Sequence, residues 1–453
     1  MEKDLTQGNV TKTMLLFAGP MIGGNLLQQC YNIADTLIVG RFLGAGALAA
    51  VGSAYTLMTF LTSVIIGLCM GSGAVCSVAF GKKEYEQMKM SISASFLFIA
   101  SITVIMNGAA FLGINMILRF LRVPEDVFML MHEYVWAILF GLFFIFLYNY
   151  FAFLLRGIGN SVVPLCFLGF SALLNIFLDL VFVLSFQMGV KGAAYATVIS
   201  QAVSGIGIGI YTWIGASKLR PGKKELFFGK EILKEVIRNS TAACVQQSVM
   251  NFGILMIQGL VNSFGTAVMA AFAAAVKVDS FAYMPAQEFG NAFSLFLSQN
   301  HGAGKRERVE LGMKRAMQVS LSFCLMVSLG IWLLAPKLME LFVHREETEI
   351  IRIGVGYLRV EGAFYCGIGL LFLLYGFYRG VEKPEMSLVL TVISLGTRVL
   401  LAYILSPLPA IGVWGIWWAI PIGWFLADMT GAVLIKKISG YKVPKLYGNG
   451  KMT

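Results

Sequence analysis

The 453-residue sequence is 58% hydrophobic and only 13% charged, and its net charge is +11 at pH 7. Soluble globular domains are about a quarter charged and under half apolar, so the composition excludes them and indicates a protein that crosses a membrane many times. An excess of Lys and Arg is typical of the cytoplasmic loops of such proteins, and we therefore expect no nucleic-acid partner. Met1 to Thr13 lacks the apolar core of a signal peptide, so we expect no cleavage there.

Apolar segments long enough to cross the bilayer recur along the whole chain. A helix rises about 1.5 Å per residue, so about 20 residues span the hydrocarbon core. The first half contains segments at about 12–39, 48–80, 91–118, 127–155 and 165–186, and a sixth after residue 191. The second half contains segments at about 235–261, 267–298, 311–343, 348–378, 385–405 and 413–435. They predict an all-α membrane protein with about twelve transmembrane helices.

The two halves repeat one another in sequence. Three pairs of motifs share one offset of 223 residues: Gly81-Lys82-Lys83 with Gly304-Lys305-Arg306, Arg156-Gly157 with Arg379-Gly380, and Gly189-Val190-Lys191-Gly192 with Gly412-Val413-Trp414-Gly415. Several pairs in order at one offset indicate a duplication. We predict two six-helix lobes, 1–216 and 235–453, joined by a cytoplasmic linker at 217–234. An even number of crossings per half relates the lobes by an axis along the membrane normal, as in transporters.

The loop charges predict the orientation. Basic residues gather after the even-numbered segments, at Lys82 to Lys89, Arg156, Lys218 to Lys234, Lys305 to Arg308, Arg379 to Lys383 and in the tail Lys436 to Lys451. The opposite loops carry fewer. By the positive-inside rule both termini are cytoplasmic, in the cell membrane.

The first segment is too polar on one side to face lipid throughout. It carries Asn25, Gln28, Gln29, Tyr31, Asn32 and Asp35, and polar groups at membrane depth line a cavity or face the protein interior. Pro20 removes a backbone hydrogen bond from this helix and gives it a place to bend. We predict that Pro20 is a hinge.

A second set of polar residues lies in segments five and six. Asn175 and Asp179 are spaced i, i+4 and so share one helix face, and Ala193 and Thr197 have the same spacing in the next segment. A carboxylate in hydrocarbon costs about 2.5 kcal/mol or more, so it normally faces a protein interior or a water-filled cavity. This pattern favours an ion or proton site. The alternative is that Asn175 and Asp179 only hydrogen-bond a neighbouring helix.

Other kinds of chemistry have weaker support in the sequence. The seven cysteines lie in apolar runs without CxxC spacing, which predicts small buried side chains and no disulfides. The three histidines are scattered, whereas metal sites need clustered ligands. An enzyme would need a nucleophile–base pair or a metal cluster, and none is evident, so we expect no enzymatic activity.

Several motifs together resemble the multidrug and toxic compound extrusion (MATE) family of cation-coupled antiporters. They are Asn32-Ile33-Ala34-Asp35, Gly44 to Gly52, Leu155 to Asn160, Leu174-Asn175 with Asp179, Gly192-Ala193-Ala194 with Thr197, and Gln299 to Lys305. The resemblance covers essentially the whole chain. It implies a V-shaped pair of six-helix lobes around a central cavity, and export of organic, often cationic, compounds against an inward flow of Na⁺ or H⁺.

The resemblance also implies which residues couple transport to the ion. One branch of the family uses positions that match Asp35, Asn175, Asp179, Ala193 and Thr197, and Na⁺ would be held at Asp35, Asn175, Asp179 and Thr197. Another branch has acidic residues in its seventh and tenth helices. Here those helices offer Gln246, Gln247, Asn251, Gln258 and Glu361, which puts a second coupling site in doubt.

The substrate cavity is the least specified part of the prediction. We expect it to be lined by Gln28, Tyr31, Asn32, Gln246, Asn251, Lys277, Asp279 and Glu288, although the last three charges are as well explained by pairing with neighbours.

We expect a functional monomer in the lipid bilayer, small-molecule substrates, and no cofactor apart from the coupling ion. A lipid or lipid-linked oligosaccharide flippase of a related fold is the alternative function. The choice between Na⁺ and H⁺ stays open.

Overall fold

The structure, a computed structural model, describes residues 4–120, 123 and 125–435, and all regular elements in this part are helical. Its thirteen α-helices are α1 (Val10–Lys82), α2 (Tyr85–Phe120), α3 (Glu125–Leu139), α4 (Leu142–Gly157), α5 (Val162–Asp179), α6 (Gly189–Gly215), α7 (Lys230–Asn262), α8 (Thr266–Gly302), α9 (Arg306–Met339), α10 (Thr348–Ala363), α11 (Tyr365–Gly380), α12 (Pro384–Leu405) and α13 (Trp414–Leu434). A π-helical turn, Leu180–Ser185, continues α5.

The predicted all-α membrane fold is confirmed. Among the described residues nine helices are long and apolar enough to cross a membrane, and two bent pairs, α3–α4 and α10–α11, raise the number to eleven. The pairs bend by 44° and 52°, where the sequence predicted one unbroken segment each. The stretch 10–43 is also helical; it is the polar first segment.

The backbone conformation at matching glycines recurs in the two halves of the chain, as the sequence motifs do. Gly44 breaks α1 with φ 86° and ψ 179°, and Gly265, its counterpart before α8, has φ 96° and ψ 172°. Glycine reaches this region without the steric cost that a Cβ brings. Positive φ also recurs at Gly189 and Gly412, which are 223 residues apart. The duplicated motifs therefore include the turns that join the helices.

The described residues form two compact units. One contains Gly19–Ser248, and the other contains Leu5–Ala18 together with the described residues from Val249 onward. The chain thus passes from one unit to the other inside α1, next to Pro20, and again inside α7. The linker and the start of α7 belong with the first unit. The lobe boundaries and their rotational relation stay predictions.

Within the first unit, α1 and α7 approach each other unusually closely. A Cβ on Gly67 would lie 2.5 Å from the Cα of Cys244, and one on Gly71 would lie 2.3 Å from the carbonyl oxygen of Asn239. Small residues allow such backbone contact between membrane helices. The glycines therefore set the distance between these two helices.

Within the second unit, the start of the chain is held against α8 and α9. Leu5 is fully buried, and its backbone N–H donates to Gln299 Oε1 over 3.0 Å. Lys305 Nζ donates to the Thr6 carbonyl over 2.8 Å. The guanidinium of Arg308 donates to the carbonyls of Gly8, Gln7 and Leu5 over 2.7, 2.6 and 3.2 Å. We call residues 5–8 the N-terminal hook.

Arg308→Gln is expected to loosen the hook. Hydrogen bonds to a charged group each contribute about 1.5–3 kcal/mol, and a neutral amide cannot reproduce the three-way contact. We expect amide hydrogen exchange at residues 5–8 to rise at least tenfold, because local opening becomes easier. Arg315→Gln is the matched control, since Arg315 lies exposed on the same helix and contacts Gln318 instead. Equal exchange in the two variants would contradict this role of Arg308.

The cysteines differ from what the sequence predicted. All seven cysteines are free, but only Cys69, Cys76 and Cys324 are buried, while Cys30 and Cys166 are exposed. The prediction that all are buried was wrong, because an apolar helix face turned to lipid tolerates a thiol as well as a core does. The basic tail 436–451, used for the orientation, lies outside the described residues.

Candidate functional site

The five predicted cation-coupling residues all lie in the first unit. Asp35 is on the polar stretch of α1, Asn175 and Asp179 are on α5, and Ala193 and Thr197 are on α6. Asp179 is the last residue of α5 before the π-helical turn. Three helices therefore supply the residues of one candidate site.

The contacts between α5 and α6 form a short polar chain. With its oxygen towards Thr197 and its nitrogen towards Asp179, the Asn175 amide donates to Asp179 Oδ2 over 3.1 Å and accepts from the Thr197 N–H over 3.3 Å. The opposite amide orientation would point its oxygen at the carboxylate. The Thr197 hydroxyl lies 3.1 Å from the Ala193 carbonyl oxygen. The four predicted residues are therefore in one continuous network.

Asp35 joins the network from α1. Its carboxyl group lies within electrostatic reach of that of Asp179. Two carboxyl groups can hydrogen-bond only if one of them carries a proton, because an ionised carboxylate has no donor. Within the described part of the chain, Oδ1 of Asp35 and Oδ1 of Asp179 are both buried without a hydrogen-bond partner. The pair therefore has the chemistry to hold a proton or a metal cation between its oxygens.

The donor set suits Na⁺ as well as H⁺. Two carboxylates, an amide oxygen, a hydroxyl and a backbone carbonyl are hard oxygen ligands of the kind that alkali and alkaline-earth cations take. Asn175 and Asp179 are 1% and 0% exposed. An ion bound here would exchange most of its water shell for these oxygens.

Two tyrosines complete the surroundings of the site. Tyr31, which was predicted to line the substrate cavity, lies within electrostatic reach of Asp35 and Asp179 and close to the Thr197 side chain. Tyr134 of α3 is buried and lies within electrostatic reach of Asp35, Asp179 and Tyr31. Sequence reasoning missed Tyr134. The available signal was a tyrosine in mid-segment, because a buried phenol needs a polar partner.

The other predicted cavity residues are distributed over both units. Gln28, exposed, and Asn32, half-buried, are on α1; Gln246 on α7 is buried and belongs with the first unit. Asn251, half-buried, belongs with the second unit, as does Lys277, which is exposed on α8. A shared cavity between these residues stays a prediction.

The second unit contains its own buried polar cluster, built around Asp279 and Glu361. Each is 4% exposed. The Tyr365 hydroxyl donates to Asp279 Oδ1 over 2.7 Å. The Tyr357 and Arg398 side chains lie within electrostatic reach of both carboxyl groups. Asp279 is therefore engaged by partners within its own unit.

Glu288 also has partners in the second unit. Asn291 donates to Glu288 Oε1 over 3.2 Å, and the guanidinium of buried Arg379 donates to Asn291 over 2.9 Å. This network ties α8 to α11. Pairing with neighbours was one of the two readings that the sequence left open for this charge.

The duplication does not copy the candidate cation site. At the offset of 223 residues, the positions that correspond to Asn175 and Asp179 hold Arg398 and Ala402. Those that correspond to Ala193 and Thr197 hold Ile416 and Ile420. One half of the repeat retains the carboxylate and the neutral oxygens, and the other has replaced them with a cation and apolar side chains.

Both halves of the chain match the same family of known proteins. A family model described as MatE matches residues 20–181 and 242–404. The chain belongs to the MATE family. Membership of this family identifies it as a multidrug efflux transporter.

Individual members of the MATE family match over most of their length. The probable multidrug resistance protein YpnP of Bacillus subtilis is 31% identical over 86% of this chain and 87% of the relative. The probable multidrug resistance protein NorM of Thermotoga maritima is 26% identical over 90% of this chain and 88% of the relative. A solved transporter of the MOP superfamily from Pyrococcus furiosus is 24% identical, covers 96% of this chain and 97% of its own, and has a TM-score of 0.89. This last likeness supports the MATE fold.

Proposed function

We propose that this chain exports organic compounds across the cell membrane in exchange for Na⁺ or H⁺, by alternating access. The observation that carries the proposal is the Asp35–Asp179 pair, with one unpartnered buried oxygen on each carboxyl group. The relatives YpnP and NorM are named for multidrug resistance, which supports a broad range of substrates. The acidic character of the site favours a cation as its ligand.

The pair supplies a two-state element. Two adjacent carboxylates in a low-dielectric interior repel each other when both are ionised. A bound proton or Na⁺ removes this repulsion and lets α1 and α5 lie close together. Without the cation, the ionised pair favours water and a different arrangement of the helices, so cation binding shifts the population of the two states.

Pro20 gives α1 a place to bend, and this connects the carboxyl pair to the rest of the molecule. Asp35 and Pro20 lie on the same helix, and the chain passes between the two units at Ala18–Gly19. A proline at that point lowers the cost of bending, because the helix already lacks one backbone hydrogen bond there. Substrate and cation then oppose one another through the shape of the first unit, which is the coupling that antiport requires.

Separately imposed ion gradients test this function. The purified chain is reconstituted into proteoliposomes, and efflux of a fluorescent organic cation is followed under a Na⁺ gradient at equal pH, and under a pH gradient without Na⁺. We expect at least one gradient to accelerate export at least tenfold over liposomes without gradients. Export that is equally fast without any gradient would contradict antiport, and the active gradient identifies the ion.

A further inference from the structure

The second unit has a groove whose lining includes neither Asp279 nor Glu361. The groove has a volume of about 790 Å³ and lies between the end of α9, the face of α10 and the start of α13. Its wall is formed by Val355, Ala363, Phe364, Trp414 and Trp418, together with three arginines. A groove of this size accommodates part of a long apolar molecule. The charged residues of its lining then determine which class of ligand it binds.

Two of the three arginines lie on α10, and the third comes just before it. Arg352 and Arg359 are seven residues apart, which returns to the same side of a helix. Arg345 lies in the turn that precedes α10 and also lines the groove. Arg345 is paired with Glu340 over 2.9 Å. Arg359 lies over the ring of Trp332, 5.2 Å from its centre. Arg352 makes no hydrogen bond or ion pair with the residues that the structure describes, so the groove has an excess of positive charge.

The surroundings of the groove are apolar and exposed. Trp332, Leu333, Leu334, Phe364 and Trp418 all expose more than a third of their surface, which in a membrane protein indicates contact with lipid. Tryptophan is enriched where the hydrocarbon meets the headgroups. Arg352 and Arg359 are about 10 Å apart along the helix, and an arginine at membrane depth costs about 2.5–3.5 kcal/mol without a compensating partner. A negative charge at headgroup depth would supply that partner.

We propose that this groove is a binding site for an anionic phospholipid. The lipid phosphate accepts hydrogen bonds from Arg352 and Arg359, whose planar guanidinium groups match phosphate geometry. One acyl chain lies against Val355, Ala363 and Trp418. The remaining carboxylate of the lining, Glu340, is already neutralised by Arg345, so it does not repel the phosphate. The site is independent of the ion that drives transport.

Lipid selectivity tests this assignment directly. The full chain is purified in detergent, and binding of phosphatidylglycerol and of phosphatidylcholine is compared by native mass spectrometry. We expect phosphatidylglycerol to bind at least tenfold more tightly. Arg352→Gln/Arg359→Gln should bring its affinity to that of phosphatidylcholine, whereas Arg352→Lys/Arg359→Lys should retain most of the preference because the positive charge remains.

Matched controls separate the groove from general charge effects. Lys337→Gln removes an exposed cation at the same end of α9 that does not line the groove, and it should leave the preference unchanged. Soluble glycerol 3-phosphate should compete at least a hundredfold less well than the lipid. The assignment is overturned if the Gln double variant, eluting as a single symmetric peak, keeps the preference for phosphatidylglycerol. It is equally overturned if the soluble phosphate competes as well as the lipid, because the site would then recognise a free anion.

Discussion

Asp35→Asn and Asp179→Asn are each expected to abolish gradient-driven export in proteoliposomes, with at least a hundredfold loss of rate. Asn keeps the size of the side chain and can still hydrogen-bond. It can neither take up and release a proton nor supply the negative charge that attracts a cation. The remaining carboxyl group then has no repelling partner, so the two-state element loses its dependence on the ion. Transport of the substrate down its own gradient should survive.

Variants of the neutral ligands serve as the graded controls for this result. Asn175→Ala and Thr197→Ala remove one oxygen each while leaving both carboxyl groups, and we expect a loss of about three- to thirtyfold. Both Asp variants should purify with the wild-type elution profile. If they still export at the wild-type rate under the same gradient, the coupling site lies elsewhere, and the buried Asp279–Glu361 cluster of the second unit becomes the next candidate.

Gly67→Ala/Gly71→Ala is expected to destabilise the protein strongly. Each added Cβ would meet the backbone of α7 at 2.5 Å or less, and backbone cannot move aside as a flexible side chain can. Overpacking of this kind costs about 1–3 kcal/mol per site, which outweighs the gain of about 1 kcal/mol from the better helix propensity of Ala. Thermal unfolding in detergent, followed by tryptophan fluorescence, measures the difference.

Gly52→Ala is the matched control for the glycine pair. Gly52 lies on the same helix, and within the described part of the chain a Cβ there would meet nothing within 4 Å. This variant should be as stable as the wild type or slightly more so. A glycine pair variant that unfolds at the wild-type temperature would show that α1 and α7 are not held at the backbone distance described above.

Local patterns in the sequence predicted which residues of the candidate cation site share a helix face. Asn175 and Asp179 share a face because they are one helical turn apart, and Thr197 stands in the same relation to Ala193, so spacing alone places each pair. The meeting of α1, α5 and α6 depends on packing between distant parts of the chain, which spacing does not encode. That is why Tyr134 was missed.

The assignment of segments to units shows the same limit. Hydropathy and loop charge locate the helices and the polar linker, so the break at 217–234 was a natural place to divide the chain. The two compact units depend on which backbones touch. Gly67 and Gly71 bring the start of α7 to the first unit, and Arg308 brings the N-terminal hook to the second. Neither contact has a signature in hydropathy.

The N-terminal hook and the start of α7 each belong to the unit that is formed mainly by the other half of the chain. This has a consequence for cutting the polypeptide in two. A nick between Gly222 and Lys223, which are both exposed, would release two fragments, each of which carries a piece of the other's unit. The amino-terminal fragment would keep the hook but lack the α7 turns that cover Gly67 and Gly71; the carboxyl-terminal fragment would keep those turns but lack the hook. Each fragment is therefore an incomplete body by itself, and only co-expression supplies both missing pieces. We therefore expect the two fragments to need one another in order to fold, as the subunits of a domain-swapped dimer do.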